Sequence, residues 1–373
     1  MAIINGSNLD LQTFKRIVFD YEMVKISIES KKLVVKAREY VEKVIEKEIP
    51  VYGINTGFGK LSDVSIETCD LAKLQENLIK SHACGVGEVF PEEIVRGMLL
   101  LRVNALIKGK SGLRLEVIEK MVEFLNKRIT PVVFSKGSLG ASGDLAPLSH
   151  MALPIIGLGE VFYEGERLTA KEGLKRARIE NLTYLEAKEG LSLINGTQAM
   201  TSVGVITLLK AYDLINLSLY NLAFTMQALQ GIIDVFDLKI HEARNQRGQI
   251  DVSKRMLDIL LDSKLMTKQG ELRVQDAYSL RCSPQVIGAS LDAFNYCKDI
   301  LEREMNAVTD NPIVFVEEEQ VISAGNFHGQ PVAIAMDFLG IAISELANIS
   351  ERRLERMVNS SLSNGLPPFL VKK

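Results

Sequence analysis

The sequence predicts a mainly α fold: a long-helix bundle preceded by a smaller N-terminal part that carries Gly-rich loops and a few short strands. Three observations point there. Apolar residues recur at three- and four-residue spacing on a charged background over long stretches. Residues 197–236 contain no proline and are rich in Leu, Ile, Ala and Met. Strand-like runs are few and short.

In chain order, residues 33–48 (LVVKAREYVEKVIEKE) read as an amphipathic helix and PVYGI, 50–54, as a strand. Helical patterns return at 92–109 and 115–128. A glycine-punctuated segment follows, GSLGASGDLAPLSH at 137–150, which turns into an apolar, helix-like run after Asp144. GEVFYEG, 159–165, reads as a hairpin turning at Glu164–Gly165. Residues 197–236 give one long helix or two with a short break, and 284–307 and 330–362 give two more. Between these, PIVFVEEEQVISAG at 312–325 carries a strand signal. Several of the helices are apolar on more than one face, as in helices buried inside a bundle or at a subunit interface. The expected organisation is an N-terminal part, 1–190, holding the glycine-rich loops, and a central helical bundle, 191–373. There is no internal repeat or low-complexity linker.

Composition narrows the function classes. The 373 residues, 47% hydrophobic, suffice for one large domain or two ordinary ones. A net charge of −3 without a basic stripe argues against a nucleic-acid partner. Cys69, Cys84, Cys282 and Cys297 form no CxxC pair, and the four histidines lack helical metal spacing, so no metal is expected. Buried free thiols in a reducing cytoplasm are the expectation. The start, MAIINGSNLDLQ, lacks a basic region followed by an apolar one. The apolar run Val332 to Leu346 holds Asp337 and Glu345 and is expected to be too short and too charged to cross a bilayer. A cytoplasmic location without a membrane partner follows.

The triplet Ala141-Ser142-Gly143 has chemistry of its own. If the loop is pinched, the Gly143 amide nitrogen can approach the Ala141 carbonyl carbon, because glycine puts no side chain in the way and tolerates unusual φ. Ring closure with loss of water gives a five-membered imidazolone. Loss of the Ser142 hydroxyl then leaves an exocyclic methylene, an electrophile made from the chain itself. Alone, the tripeptide fits a flexible turn equally well.

The surrounding blocks resemble those of the aromatic amino acid ammonia-lyases. After GSLGASGDLAPLSH, the resemblance is carried by YGINTGFGKL (52–61), NLIKSHACGVGE (77–88), LINGTQAM (193–200), HEARNQRGQID (241–251), VQDAYSLRCSPQVIG (274–288), TDNP (309–312) and GNFHGQPVA (325–333). It covers essentially the whole chain. It implies a largely helical homotetramer whose triplet becomes 4-methylidene-imidazol-5-one, with no metal or soluble cofactor.

The resemblance also implies roles. Tyr52 takes the place of the catalytic base. A free phenol titrates at about 10, so its site is expected to lower that value or to supply the phenolate by proton transfer. Gly53, Gly57 and Gly59 suit a loop that closes over a substrate, and Lys60 lacks the spacing of a nucleotide-phosphate loop. Arg281 matches the arginine that grips the substrate carboxylate through paired hydrogen bonds. Asn195 and Gln275 match amides near the substrate amine and the electrophile. Tyr278 matches an active-site phenol, and Phe327 an aromatic packed beside the imidazolone. Asp144 either supports cyclisation or only caps the following helix. Ser81-His82 suits an imidazole substrate, because a histidine can hydrogen-bond to an imidazole nitrogen.

The implied reaction is elimination of ammonia from L-histidine to give trans-urocanate. A tyrosine or phenylalanine ammonia-lyase, a 2,3-aminomutase and an inactive scaffold stay open. Chains of the family continue past GLPPFLV, 365–371, into a helical region with a catalytic glutamate. The expectation here is a C-terminally truncated chain that folds and assembles, with weak or no activity.

Overall fold

The structure, a computed structural model, describes residues 1–47 and 49–371. Contacts group the chain into two units: Met1–Ile206 with Leu301–Val332, and Thr207–Ile300 with Ala333 onward. Residues 301–332 group with the N-terminal residues, so these bounds differ from a single division into 1–190 and 191–373.

Helices dominate, and the longest are Gln198–Ala228, Ser283–Met305 and Gln330–Val358. The stretch 197–236 contains a break. Its long helix ends at Ala228, where the Gly231 amide donates back to the Met226 carbonyl at 2.7 Å and Gln230 adopts φ 49°. That is a helix stop built on a left-handed residue. A short 3₁₀ turn, Ile233–Phe236, follows.

In the first unit, Leu11–Val18 starts at Asp10, whose carboxylate accepts the Thr13 amide at 2.7 Å. The helix expected at 33–48 runs Ile28–Glu46, because Ser27 caps it by accepting the Ser30 amide at 3.1 Å. Glu48 lies outside the described residues. Glu92–Leu106 opens with two glutamates, which suit its positive end, and is buried at every residue from Val95 to Leu106. It packs on Leu115–Asn126. Fully buried Arg96 donates to the carbonyls of Ile17 (2.9 Å), Val18 (3.1 Å) and Leu125 (3.1 Å), so one guanidinium closes the negative ends of two helices.

Strands occur only as small pieces among the described residues. Ala2–Ile4 pairs in parallel with Val24–Ile26. Val86–Val89 pairs antiparallel with Phe134–Lys136. Thr130–Pro131, Glu160–Tyr163 and Glu166–Thr169 form an antiparallel three-stranded sheet. The expected turn at Glu164–Gly165 is there, with φ of 51° and 83° at its two residues. The run 312–325 folds back on itself, pairing Ile313–Phe315 with Gln320–Ile322.

PVYGI is not a strand. Asn55 accepts the Val51 amide at 2.7 Å and donates to the Ile49 carbonyl at 2.9 Å, and Gly53 has φ 71°. Side-chain-to-backbone bonding and a left-handed glycine make a turn of it. Ile54 is fully buried and clusters with Val41, Val44 and Val314, which anchors the turn from below.

In the second unit, the Cys297 thiol donates to the Ala335 carbonyl at 3.0 Å and the Ser290 hydroxyl to the Ala342 carbonyl at 2.8 Å. Tyr212, Leu214, Leu217, Tyr220 and Phe224 stand exposed there, as do Ile334, Phe338 and Ile341. Two helical stretches, Glu189–Ala228 and Gln330–Val358, are long and apolar enough to cross a membrane by length and composition. The expectation that Val332 to Leu346 is too short therefore does not hold for the helix containing it. All four cysteines are free, but only Cys297 is buried; Cys69 and Cys84 are exposed, against the expected burial.

A charged cluster lies fully buried in the first unit. Lys188 donates to Asp310 Oδ2 at 3.0 Å and to Ser192 Oγ at 2.8 Å. Arg102 stands 3.9 Å from Asp310 Oδ1 and donates to the Ser192 carbonyl (2.9 Å) and to Gln198 Oε1 (3.0 Å). Burial pulls Lys188 down from its ordinary value and Arg102 down to about 10. Burial alone would raise Asp310, but Lys188 and Arg102 outweigh it and hold the carboxyl below its usual range. Two cations thus share one anion. Replacing Asp310 with Asn leaves both buried without a counter-charge, and the expected loss is about 3–5 kcal/mol in chemical denaturation. A loss below about 1 kcal/mol would show that the neutral partners, the Ser192 carbonyl and hydroxyl and the Gln198 amide, satisfy the cations by themselves.

Candidate active site

The triplet forms a tight turn. Gly140 and Gly143 both have φ of 80°, and the Gly143 amide approaches the Gly140 carbonyl at 3.4 Å. Ala141 and Ser142 are exposed, whereas Gly143 is buried. A Cβ on Gly143 would lie 2.8 Å from the Gly196 carbonyl oxygen, so only glycine fits.

Three contacts hold this turn. Asn195 Nδ2 donates to the Ser142 carbonyl at 3.1 Å. The Asp144 amide donates to the Gly196 carbonyl at 2.7 Å. The Gly329 amide donates to the Gly140 carbonyl at 3.0 Å, which ties in the loop bearing Phe327. Behind Gly196 stand Arg102, Gln198 and Thr309, so close that a Cβ on Gly196 would collide with them. The buried ion cluster is therefore the back wall of the turn.

Asp144 precedes the helix Leu145–Ala152 but makes no side-chain cap there. Its carboxylate instead accepts the Ser138 hydroxyl at 2.6 Å and the Met200 amide at 2.8 Å, at the first turn of Gln198–Ala228. The capping alternative is thus replaced by a bridge across the triplet loop. Burial raises its pKa, and the Ser138, Met200 and Ala199 donors pull it partly back. Nearby Glu304 accepts the Thr197 hydroxyl at 2.5 Å, and burial first, then the Asp144 charge, raises its carboxyl.

Tyr52 lines a cleft of about 830 Å³ with Phe327, Asn311, Ser323, Gly59 and Thr56. Its ring meets Phe58 edge-on at 6.4 Å. Burial pushes the phenol up from its ordinary value, and a bond from the Gly59 amide only partly offsets this. Of the two expectations, the lowering is not seen, because among the described residues no cation acts on the phenol to offset its desolvation; supply of the phenolate by proton transfer is the other. A Cβ on Gly53 would lie 2.5 Å from Leu191 Cδ2 and 3.0 Å from Pro312 Cδ, so this glycine seats the Tyr52 turn against the TDNP segment.

His82 is the last residue of the helix Leu71–His82. Its Nδ1 lies 2.9 Å from the Leu78 carbonyl, an acceptor, so Nδ1 carries the proton. In the neutral ring, Nε2 is then left as an acceptor. The same carbonyl also takes the Ser81 hydroxyl at 3.0 Å.

Gln275, Tyr278 and Arg281 belong to the second unit. Gln275 and Tyr278 are exposed. The Arg281 guanidinium lies over the Tyr278 ring, 4.6 Å from its centroid, and its Nε is buried without a partner. Tyr278 lines a second cleft, of about 420 Å³, with Arg352, Arg356 and Glu345. The described residues hold no cluster of three or more His, Cys, Asp or Glu that fits a metal ion.

Arg102, Lys188 and Glu304 stand at the site without a motif that marks them in the sequence, and Gly196 is marked only as part of LINGTQAM. The available signal was a lone arginine in the apolar run LLLRVNALI and a lysine ahead of LSLING.

The chain belongs to the aromatic amino acid lyase family, whose pattern it matches over residues 9–373. Within it, a histidine ammonia-lyase of Bacillus subtilis (strain 168) is 58% identical over 370 residues, spanning 99% of this chain and 72% of that protein. Among solved structures, the histidine ammonia-lyase of Trypanosoma cruzi superposes with a TM-score of 0.90 at 38% identity, covering 99% of this chain and 69% of that one. A tyrosine aminomutase from Streptomyces globisporus superposes with a TM-score of 0.95 at 36% identity, covering 99% and 73%.

Gly196→Ala tests the back wall. The added methyl has to displace Arg102 or push the triplet turn outward, at an expected cost of about 1–3 kcal/mol. An unchanged denaturation midpoint would mean that the wall yields freely.

Proposed function

We propose that the chain is a carbon–nitrogen lyase that eliminates ammonia from L-histidine to give trans-urocanate, at a 4-methylidene-imidazol-5-one formed from Ala141, Ser142 and Gly143. The observation that carries this is the pinched Ala-Ser-Gly turn, held at the Ser142 carbonyl by Asn195, in a chain 58% identical to a histidine ammonia-lyase. The residues present suit the group: the turn is tight, Gly143 admits no side chain, and Ser142 is exposed where a substrate can reach it. The chemistry supplied there is that of an electrophilic methylene, which turns an amine into a better leaving group.

The chain's own residues do the rest. Asn195 holds the Ser142 carbonyl, and Asp144 fixes the far side of the loop. Tyr52 takes the β-proton. The substrate's ammonium is a cation brought into the site, and a nearby cation favours the phenolate that burial disfavours. His82 accepts the substrate imidazole N–H at its bare Nε2. Phe327, which lines the Tyr52 cleft on the loop stitched to Gly140, is assigned the aromatic place beside the triplet. Arg281 grips the carboxylate, and Gln275 and Tyr278 act near the amine; these three roles rest on the motif VQDAYSLRCSPQVIG. No metal, nucleic acid or membrane enters this reading, and the location is the cytoplasm. The apolar side chains exposed along 212–224 and 334–341 support a homotetramer. Light scattering giving a monomer at micromolar concentration would remove that assembly.

The deciding experiment pairs mass with product. The intact chain is expected to weigh two waters less than its sequence. Its 58% identity to a histidine ammonia-lyase over 99% of its residues favours turnover, against the earlier expectation of weak or no activity, so it is expected to release ammonia and urocanate from L-histidine. Ser142→Ala is expected to fold normally, lose the mass deficit and release neither. A β-amino acid product would make the chain an aminomutase. Near-normal ammonia release by Ser142→Ala would end the reading.

A further inference from the structure

His150 takes no part in the chemistry above, yet it occupies a constrained place. It lies on the helix Leu145–Ala152, which follows the triplet directly. Its Nε2 is 3.0 Å from the Gly85 amide nitrogen. An amide only donates, so Nε2 must be bare and the ring neutral, with its proton on Nδ1. The Phe134 ring meets His150 edge-on at 5.1 Å, which fixes the plane of the imidazole. A Cβ on Gly85 would lie 3.1 Å from His150 Cδ2 and Nε2 and 3.2 Å from Phe134 Cβ. Gly85 is thus seated on the His150 ring and the base of the Phe134 side chain. Burial lowers the pKa of His150, which favours the same neutral form.

Gly85 closes the turn that begins at His82. The Cys84 amide donates to the His82 carbonyl at 2.8 Å, and Val86–Val89 then pairs with Phe134–Lys136. The turn carrying His82 is therefore bound at its far end to the helix that starts beside the electrophile loop. We infer that His150 is a positioning residue for substrate recognition: by accepting the Gly85 amide, it fixes the distance between His82 and the triplet. The inference rests on the proposed binding of an imidazole substrate at His82. Glutamine at position 150 can offer a carbonyl to the Gly85 amide, whereas phenylalanine fills the space and leaves that amide unpaired.

The test compares His150→Phe and His150→Gln with the unaltered chain on L-histidine. His150→Phe is expected to raise KM by about tenfold, the effect of one lost hydrogen bond. Its kcat and the two-water mass deficit are expected to stay near those of the unaltered chain, and His150→Gln is expected to recover most of the KM. An unchanged KM in His150→Phe, or equal losses in KM and kcat in both variants, would overturn the inference. If His150→Phe does not fold, ¹⁵N imidazole spectra of the unaltered chain decide. A ring protonated at Nδ1 and bare at Nε2 supports the role, and a proton on Nε2 rules it out. Absence of turnover in the unaltered chain would instead count against the lyase reading, while the spectra would still judge His150.

Discussion

The first unit depends on two buried cations that share one carboxylate. Lys188 and Arg102 both turn to Asp310, and neither has another acidic partner among the described ion pairs. Such a cluster is costly to bury, and replacement by apolar residues is often neutral or stabilising elsewhere. Here it has a structural consequence that apolar side chains would lack. Arg102 also binds the Ser192 carbonyl and Gln198, so a single guanidinium fixes both flanks of the segment Asn195-Gly196-Thr197. That segment in turn meets the triplet through Asn195 and Gly196. Directional donors set the position of a backbone more tightly than packing alone.

Glycine completes what the charges begin. Gly143 and Gly196 face one another with no room for a side chain on either, which brings two backbones together at the reactive turn. Gly53 likewise leaves room only for the side chains of Leu191 and Pro312 against the Tyr52 turn. The Glu304 carboxyl lies close enough to Asp144 that the Asp144 charge adds to burial in raising it.

How much of this was legible in the sequence varied with the physics involved. The long helices were visible because their apolar periodicity is local, and Glu164–Gly165 because turn chemistry is local too. PVYGI misled because alternating apolar residues outweighed the Asn55 side chain, which wraps back onto Val51 and Ile49. The triplet, Asn195 and Phe327 were singled out through motif resemblance, and hydrogen bonds link their loops. Arg102 and Lys188 were missed because a charge in an apolar run has no meaning until its partner is known. That partner, Asp310, lies 122 residues beyond Lys188. Of the two expectations for Tyr52, a lowered pKa or a phenolate supplied by proton transfer, the first runs against burial, which is set by tertiary packing and raises the phenol.

Leu217, Tyr220 and Phe224 recur at three- and four-residue spacing on one face of their helix, and all three are exposed. If the proposed homotetramer covers this stripe, a newly made chain carries it uncovered until it meets its partners. During that interval, productive encounter competes with non-specific sticking, and both rise with concentration. Slower synthesis at lower temperature gives each chain more time per encounter and weakens the apolar attraction itself. In that assembly, recovery of soluble protein is governed by the kinetics of covering this stripe as much as by the stability of the finished fold.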